Sequence, residues 1–169
     1  MISDSFYQDF KQGRTLVIGS KVYSKNTDRR RLYPDAIGLD LFDGDGVDIV
    51  HDLETPLIGY GLFDHIDCYS VLEHVQRPWL MCANIESVMG EGSTIFISVP
   101  FIWRVHGYPS DYWRITKDAL PILFPRIEWI KRGYLAGETL HKKSPATTID
   151  GQVYIQKTEV VGFGVKRGL

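Results

Sequence analysis

Residues 63–75, FDHIDCYSVLEHV, constrain what this chain can fold into more than any other stretch. The first seven, Phe63 to Tyr69, are largely apolar and read as a strand. The chain then turns at Ser70 and leaves as an amphipathic segment. A strand that ends on a small polar residue and hands over to a helix leaves a crevice at its carboxyl end. Open α/β sheets bind their ligands in such crevices, so further strands are needed on either side.

The chain supplies them in order. Residues 15–18 are a short apolar run closed by Gly19 and Ser20, which predicts a buried first strand whose glycine lets a ligand approach the backbone. Residues 36–39 predict a second strand ending in Asp40, followed by Leu41. Gly19 and Asp40 have the spacing, about 20 residues, of a glycine turn and a ribose-binding carboxylate. A carboxylate only accepts hydrogen bonds, through two oxygens, so it can take both ribose hydroxyls. Leu41 is placed to lie against an adenine face. A plain turn glycine and a strand-end aspartate are the alternatives. Residues 47–50 predict a third strand, followed by His51-Asp52-Leu53, where Asp52 is either a ligand contact or a turn cap.

The intervening segments are less informative. Residues 21–34 are polar and basic and read as a solvated surface loop, with Asn26 or Thr27 capping a helical turn or two. The same charges would attract an anionic acceptor. A P-loop is excluded, because Ser24 stands where its second glycine belongs. Asp43-Gly44-Asp45-Gly46 is a turn and not a calcium loop, since Val47 and Asp48 follow where an acid and a glycine are required. Residues 1–11 carry Phe6 and Phe10 at helical spacing.

After residue 75, Pro78 suits the first position of a helix with an apolar stripe of Met81, Cys82, Ile85, Val88 and Met89. Gly90-Glu91-Gly92 ends it, and residues 94–99 form an apolar fifth strand closed by Pro100. Residues 101–116, FIWRVHGYPSDYWRIT, are rich in aromatics and have no clean period. Thr116 reads as the cap of a helix over 117–123. Residues 127–135, 152–155 and 160–166 read as strands, with a polar loop over 136–148. The fold class predicted is α/β: one Rossmann-like domain over 1–169, with a mostly parallel sheet, helices on both faces and a C-terminal antiparallel strand.

Three motifs carry a family resemblance: Val71-Leu72-Glu73-His74-Val75 after the fourth strand, Gly19 after the first, and Tyr-Pro-x-Asp-Tyr-x-Arg at 108–114. Together they resemble class I S-adenosylmethionine-dependent methyltransferases, particularly the small type 11 group. The resemblance implies S-adenosylmethionine as cofactor and methyl transfer to a small-molecule acceptor as activity. It implies cofactor contacts at Gly19, Ser20, Asp40, Leu41, Asp52, Leu53, Tyr69 and Ser70, with Asp52 accepting from the adenine amine. It places the acceptor side after strand five, at Trp103, Arg104, Tyr108, Asp111, Tyr112 and Arg114. Aromatic walls with a few polar groups suit a pocket, and the two arginines suit an anionic or sugar-like acceptor. His74 and His106 are the base candidates, because histidine titrates near neutral pH. The sequence departs from the family at its glycine loop. Lys21 and Tyr23 stand at the second and third glycine positions, and Val17 stands at the acidic one. A non-catalytic S-adenosylmethionine- or nucleotide-binding module is therefore the competing class.

Other functions find little support. The net charge of −2 gives no reason to expect nucleic acid, and no apolar run has membrane-spanning length. The two cysteines, Cys68 and Cys82, lie in apolar segments and read as buried thiols of a reducing compartment, the cytoplasm. The five histidines show no metal-ligand spacing, and no serine-hydrolase elbow is present. A nicotinamide dehydrogenase would need three glycines running into a helix.

Overall fold

A computed structural model of the chain describes residues 13–24, 27–107, 109–136, 147–149, 152–154 and 158–168. Its strands are β1 Arg14–Ile18, β2 Asp35–Asp40, β3 Ile49–Val50, β4 Phe63–Tyr69, β5 Met89–Ile102, β6 Ile127–Ala136, β7 Thr147–Ile149, β8 Gln152–Tyr154 and β9 Thr158–Lys166. Seven of them form one sheet in the order β3-β2-β1-β4-β5-β9-β6. The first five are parallel, whereas β9 runs antiparallel to both β5 and β6. A separate ladder pairs β7 with β8, so a strand lies inside what reads as a polar loop. The α/β class, the mostly parallel sheet and the antiparallel C-terminal strand are as the sequence predicts.

The strand order follows from burial. β4 lies between β1 and β5, and it is covered on both faces, as a central parallel strand must be. Successive side chains alternate between faces. Ile66 and Cys68 enter the side covered by helix α1, Pro78–Ser87, whose Cys82 lies close enough to push the Cys68 thiol pKa up further than burial alone. Both cysteines are buried and free, as predicted. The short helix α2, Leu120–Leu123, packs against α1.

His65 and Asp67 enter the other face and force a correction to the reading of residues 21–34 as a solvated loop. A buried carboxylate must be paired. Asp67 is fully buried and accepts from Arg29 Nε at 3.1 Å, Arg29 Nη2 at 2.7 Å and the Tyr33 hydroxyl. The described part of the segment thus lies against the sheet as one 3₁₀ turn, Arg29–Leu32, capped by Asp28 and not by Thr27, whereas Asn26 lies outside the described residues. Among the described residues this turn, and no α-helix, covers that face.

Two helix boundaries also differ from expectation. Residues 117–119 form a turn, and α2 begins only at Leu120, because Pro121 starts helices better than it continues them. Gly90-Glu91-Gly92 belongs to β5, where the register shifts between the pairs Phe63↔Met89 and His65↔Thr94. The helix expected over 1–11 lies outside the described residues. No helix among those described is long and apolar enough to cross a membrane.

Candidate functional site

A cleft of about 470 Å³ opens at the carboxyl ends of β1, β2, β3 and β4, within the usual range for small-molecule sites. Its walls come from Ile18 and Gly19 after β1, residues 39–42 at the end of β2, residues 51–54 after β3, and Ser70 and Val71 after β4. Residues 74–77 and Met81 close one side, and His106, Pro109 and Tyr112 reach in from the segment after β5.

The β1–β2 side is built by backbone geometry. Gly19 has φ +73°, and a Cβ there would stand 2.4 Å from Val71 Cγ2, so any other residue would strain the backbone and push Val71 aside. The N–H groups of Gly19 and Ser20 both donate to Leu39 O, at 2.8 and 3.1 Å, and turn the chain sharply at the carboxyl end of β1. Asp40 follows on β2. Its Oδ2 accepts from Lys21 N–H and its Oδ1 from Phe42 N–H, each at 3.1 Å. Lys21 does not line the cleft; its side chain lies along Gly44, with Nζ near the rings of Tyr23 and Phe42.

The far side is built on residues 71–77. A 3₁₀ turn, Leu72–His74, follows Ser70, which holds the left-handed conformation at φ +54°. Glu73 O accepts from Tyr112 N–H at 2.7 Å, Val75 O accepts from the Trp113 indole at 2.8 Å, and Gln76 Nε2 donates to the Tyr112 hydroxyl. These bonds pin the aromatic segment to the turn. Across the rim, Glu54 accepts from the backbone N–H groups of Gln76 and Arg77 and from Arg77 Nε at 2.6 Å.

Two histidines meet where the turn and the aromatic segment touch. The rings of His74 and His106 stand edge to face with centroids 4.8 Å apart. His74 Nδ1 lies 2.6 Å from Ser110 O, and burial, partly offset by that bond, lowers its pKa. His106 Nδ1 lies 3.0 Å from Asp111 Oδ2, and its backbone N–H donates to the same carboxylate. Asp111 is gripped on both oxygens by Arg114, which holds its pKa far below the usual carboxylate range despite burial. Glu73 lies beneath the pair, fully buried, with neither carboxylate oxygen hydrogen-bonded. Burial pushes its pKa up to about 7.

No family model and no curated protein matches the sequence significantly. Solved structures do match. One is a candidate methyltransferase of Bacillus halodurans C-125, with TM-score 0.70, 10% identity and 97% of each chain covered. An S-adenosylmethionine-dependent methyltransferase of Archaeoglobus fulgidus aligns with TM-score 0.65 and 14% identity over 96% of this chain and 90% of that one. The N-methyltransferase NodS of Bradyrhizobium japonicum WM9, in complex with S-adenosyl-L-homocysteine, aligns with TM-score 0.62 and 12% identity over 92% and 79%. The chain has the α/β methyltransferase fold. At these identities the likeness is one of fold.

Within the methyltransferase fold, nine of the residues singled out from the sequence line the one cleft: Gly19, Asp40, Leu41, Asp52, Leu53, Ser70, His74, His106 and Tyr112. Asp52 also caps its turn, accepting from Glu54 N–H. Six others lie elsewhere. Ser20 is buried behind the loop. Tyr69 points to the sheet face of Asp67, where its hydroxyl donates to Glu159. Trp103 and Arg104 stack on each other, the guanidinium 5.6 Å from the ring. Asp111 and Arg114 engage each other, so the Arg114 fork is already occupied by a carboxylate of the chain itself. Tyr108 lies outside the described residues. Sequence reading missed Phe42, His51, Glu54, Gln76 and Arg77 on the cleft wall and Glu73 beneath it. Gln76 and Arg77 directly follow the five-residue motif and were within its reach.

Proposed function

We propose that the chain binds S-adenosylmethionine in this cleft and transfers its methyl group to a small-molecule acceptor, as a cytoplasmic member of the type 11 group. The observation that carries this reading is the cradle formed by Gly19 and Asp40: a left-handed backbone where a side chain would crowd Val71, beside a carboxylate anchored by two N–H groups. A carboxylate has about four lone-pair sites, so two remain for a pair of ribose hydroxyls. Leu41 and Phe42 offer apolar surface for the adenine, and Asp52 stands on the rim for its amine. Ser70 and the histidine pair stand across the cleft from Asp40, where an acceptor would be aligned and lose its proton. The cofactor supplies the chemical activation through its sulfonium. The acceptor is not assigned as anionic, since Arg114 is held by Asp111.

Calorimetric titration with S-adenosylmethionine and with its demethylated product tests the reading. Asp40→Ala should weaken binding by about 1.5–3 kcal/mol, as for lost charge-assisted hydrogen bonds. Equal affinity of variant and wild type would refute the ribose assignment. No binding of either compound at about millimolar concentration, a Kd equivalent to about −4 kcal/mol, would favour a module that has lost the cofactor with its glycine loop.

A further inference from the structure

We propose that Glu73, His74 and His106 bind a divalent transition-metal ion of the zinc class at the histidine end of the cleft. One donor atom from each residue lies within 4.8 Å of the others. His74 Nε2 and Glu73 Oε1 are 3.5 Å apart. Two ligands of a tetrahedral ion with bonds of about 2.1 Å stand about 3.4 Å apart, so this pair is already at bonding separation. Bringing in the third ligand takes a side-chain shift of little more than about 1 Å by the same geometry.

Three further features fit a metal and not a chance meeting of polar groups. First, Glu73 is wholly buried, and neither of its oxygens has a hydrogen-bond partner. Buried carboxylates normally have partners, and one left bare at a cleft wall calls for a cation. Second, both histidines are held by the far nitrogen. His74 Nδ1 is bonded to the Ser110 carbonyl, and His106 Nδ1 lies against the Asp111 carboxylate, which is itself clamped by Arg114. Such carbonyl and carboxylate anchors orient the rings of metal-ligating histidines, and at His74 they leave Nε2, the nitrogen that faces Glu73, as the ligand atom. Third, His74 and His106 line the cleft and Glu73 does not, so the ion would be held from below with an open position facing the cleft. Three protein ligands and an open position are the arrangement of a reactive zinc site, not a structural one. Two imidazoles and one carboxylate favour zinc, iron(II) or cobalt(II) over magnesium and calcium.

The site itself requires only these side chains. Its use in methyl transfer rests on the reading above: an acceptor oxygen entering from the cleft would be polarised by the ion. The two histidines would then act as ligands rather than as bases.

The test is a zinc titration of chelator-stripped full-length protein, with no methyl donor present, so that its outcome is independent of cofactor binding. Wild type should take up one zinc per chain with a Kd of about 1 μM or tighter. Glu73→Gln and His106→Ala should each weaken binding by more than about tenfold. Cobalt in place of zinc should give the visible absorption of a tetrahedral site, lost in both variants. Glu73→Gln removes a buried unpaired carboxyl and should keep the fold, checked by circular dichroism. Should it unfold, His106→Ala decides alone, because that side chain is only partly buried. No uptake by wild type at about 100 μM zinc, or equal affinity in wild type and the folded variants, overturns the proposal.

Discussion

Replacing His65 by Asn should remove a large part of the protein's sensitivity to acid. His65 is fully buried on β4, with Nδ1 2.8 Å from the Thr94 hydroxyl and its ring centroid 5.1 Å from that of Tyr33. Burial pushes its pKa down from 6.5 to about 3; the bond with Thr94 opposes this and the Arg29 charge adds to it. The unfolded chain therefore takes up this proton at higher pH than the folded chain. The stability that depends on a neutral ring is whole above about pH 6.5 and is lost as the pH falls toward about 3. Linkage puts the loss at about 3 kcal/mol by about pH 4.5, rising to about 5 kcal/mol below about pH 3. Asparagine carries no charge and can still hydrogen-bond to Thr94, although losing the ring costs packing at every pH. The quantity to measure is the gap in unfolding free energy between wild type and His65→Asn, from urea curves followed by tryptophan fluorescence. It should shift in favour of the variant by about 2–3 kcal/mol between about pH 7 and about pH 4.5. Parallel pH profiles would show that His65 is protonated in the folded state, or that water reaches it, and would refute the reasoning.

Arg29→Met leaves the buried Asp67 carboxylate without its bidentate partner and should cost about 3–5 kcal/mol in urea unfolding, most of it regained when Asp67→Leu is added. A solvated Arg29 would give a change near zero. Gly19→Ala should cost about 1–2 kcal/mol for the left-handed backbone alone. It should also weaken S-adenosylmethionine binding, because the new methyl displaces Val71; unchanged affinity would place the cofactor away from this loop.

Much of this molecule can be read from local chemistry. The strand over Phe63–Tyr69 has the bounds expected of it, because an apolar run closed by a small polar residue has few other conformations. Gly19 and Asp40 enter one cleft because both sit at the carboxyl ends of parallel neighbours, a consequence of strand order. The aromatic segment was recognisable as unusual, but its internal pairing was not. Arg114 looks free in the sequence, yet Asp111 three residues earlier takes both ends of its fork.

The sequence by itself determined the succession of the seven strands of the main sheet, the glycine at which the backbone must turn, and the acid that follows at ribose-binding spacing. These depend on periodicity, backbone freedom and side-chain volume within a few residues. The partners of the buried charges were decided only by the tertiary structure. Arg29 reaches Asp67 across 38 positions, and Tyr69 reaches Glu159 across 90. Alternation along β4 assigns Asp67 and Tyr69 to the same face, but nothing local says which distant segment covers that face. The same holds for the histidine pair. His74 and His106 show no ligand spacing along the chain, and they meet because backbone bonds from Tyr112 and Trp113 fasten one loop onto another. A hydrogen-bonding group is satisfied by whatever the fold brings within about 3 Å, and sequence distance places no limit on that.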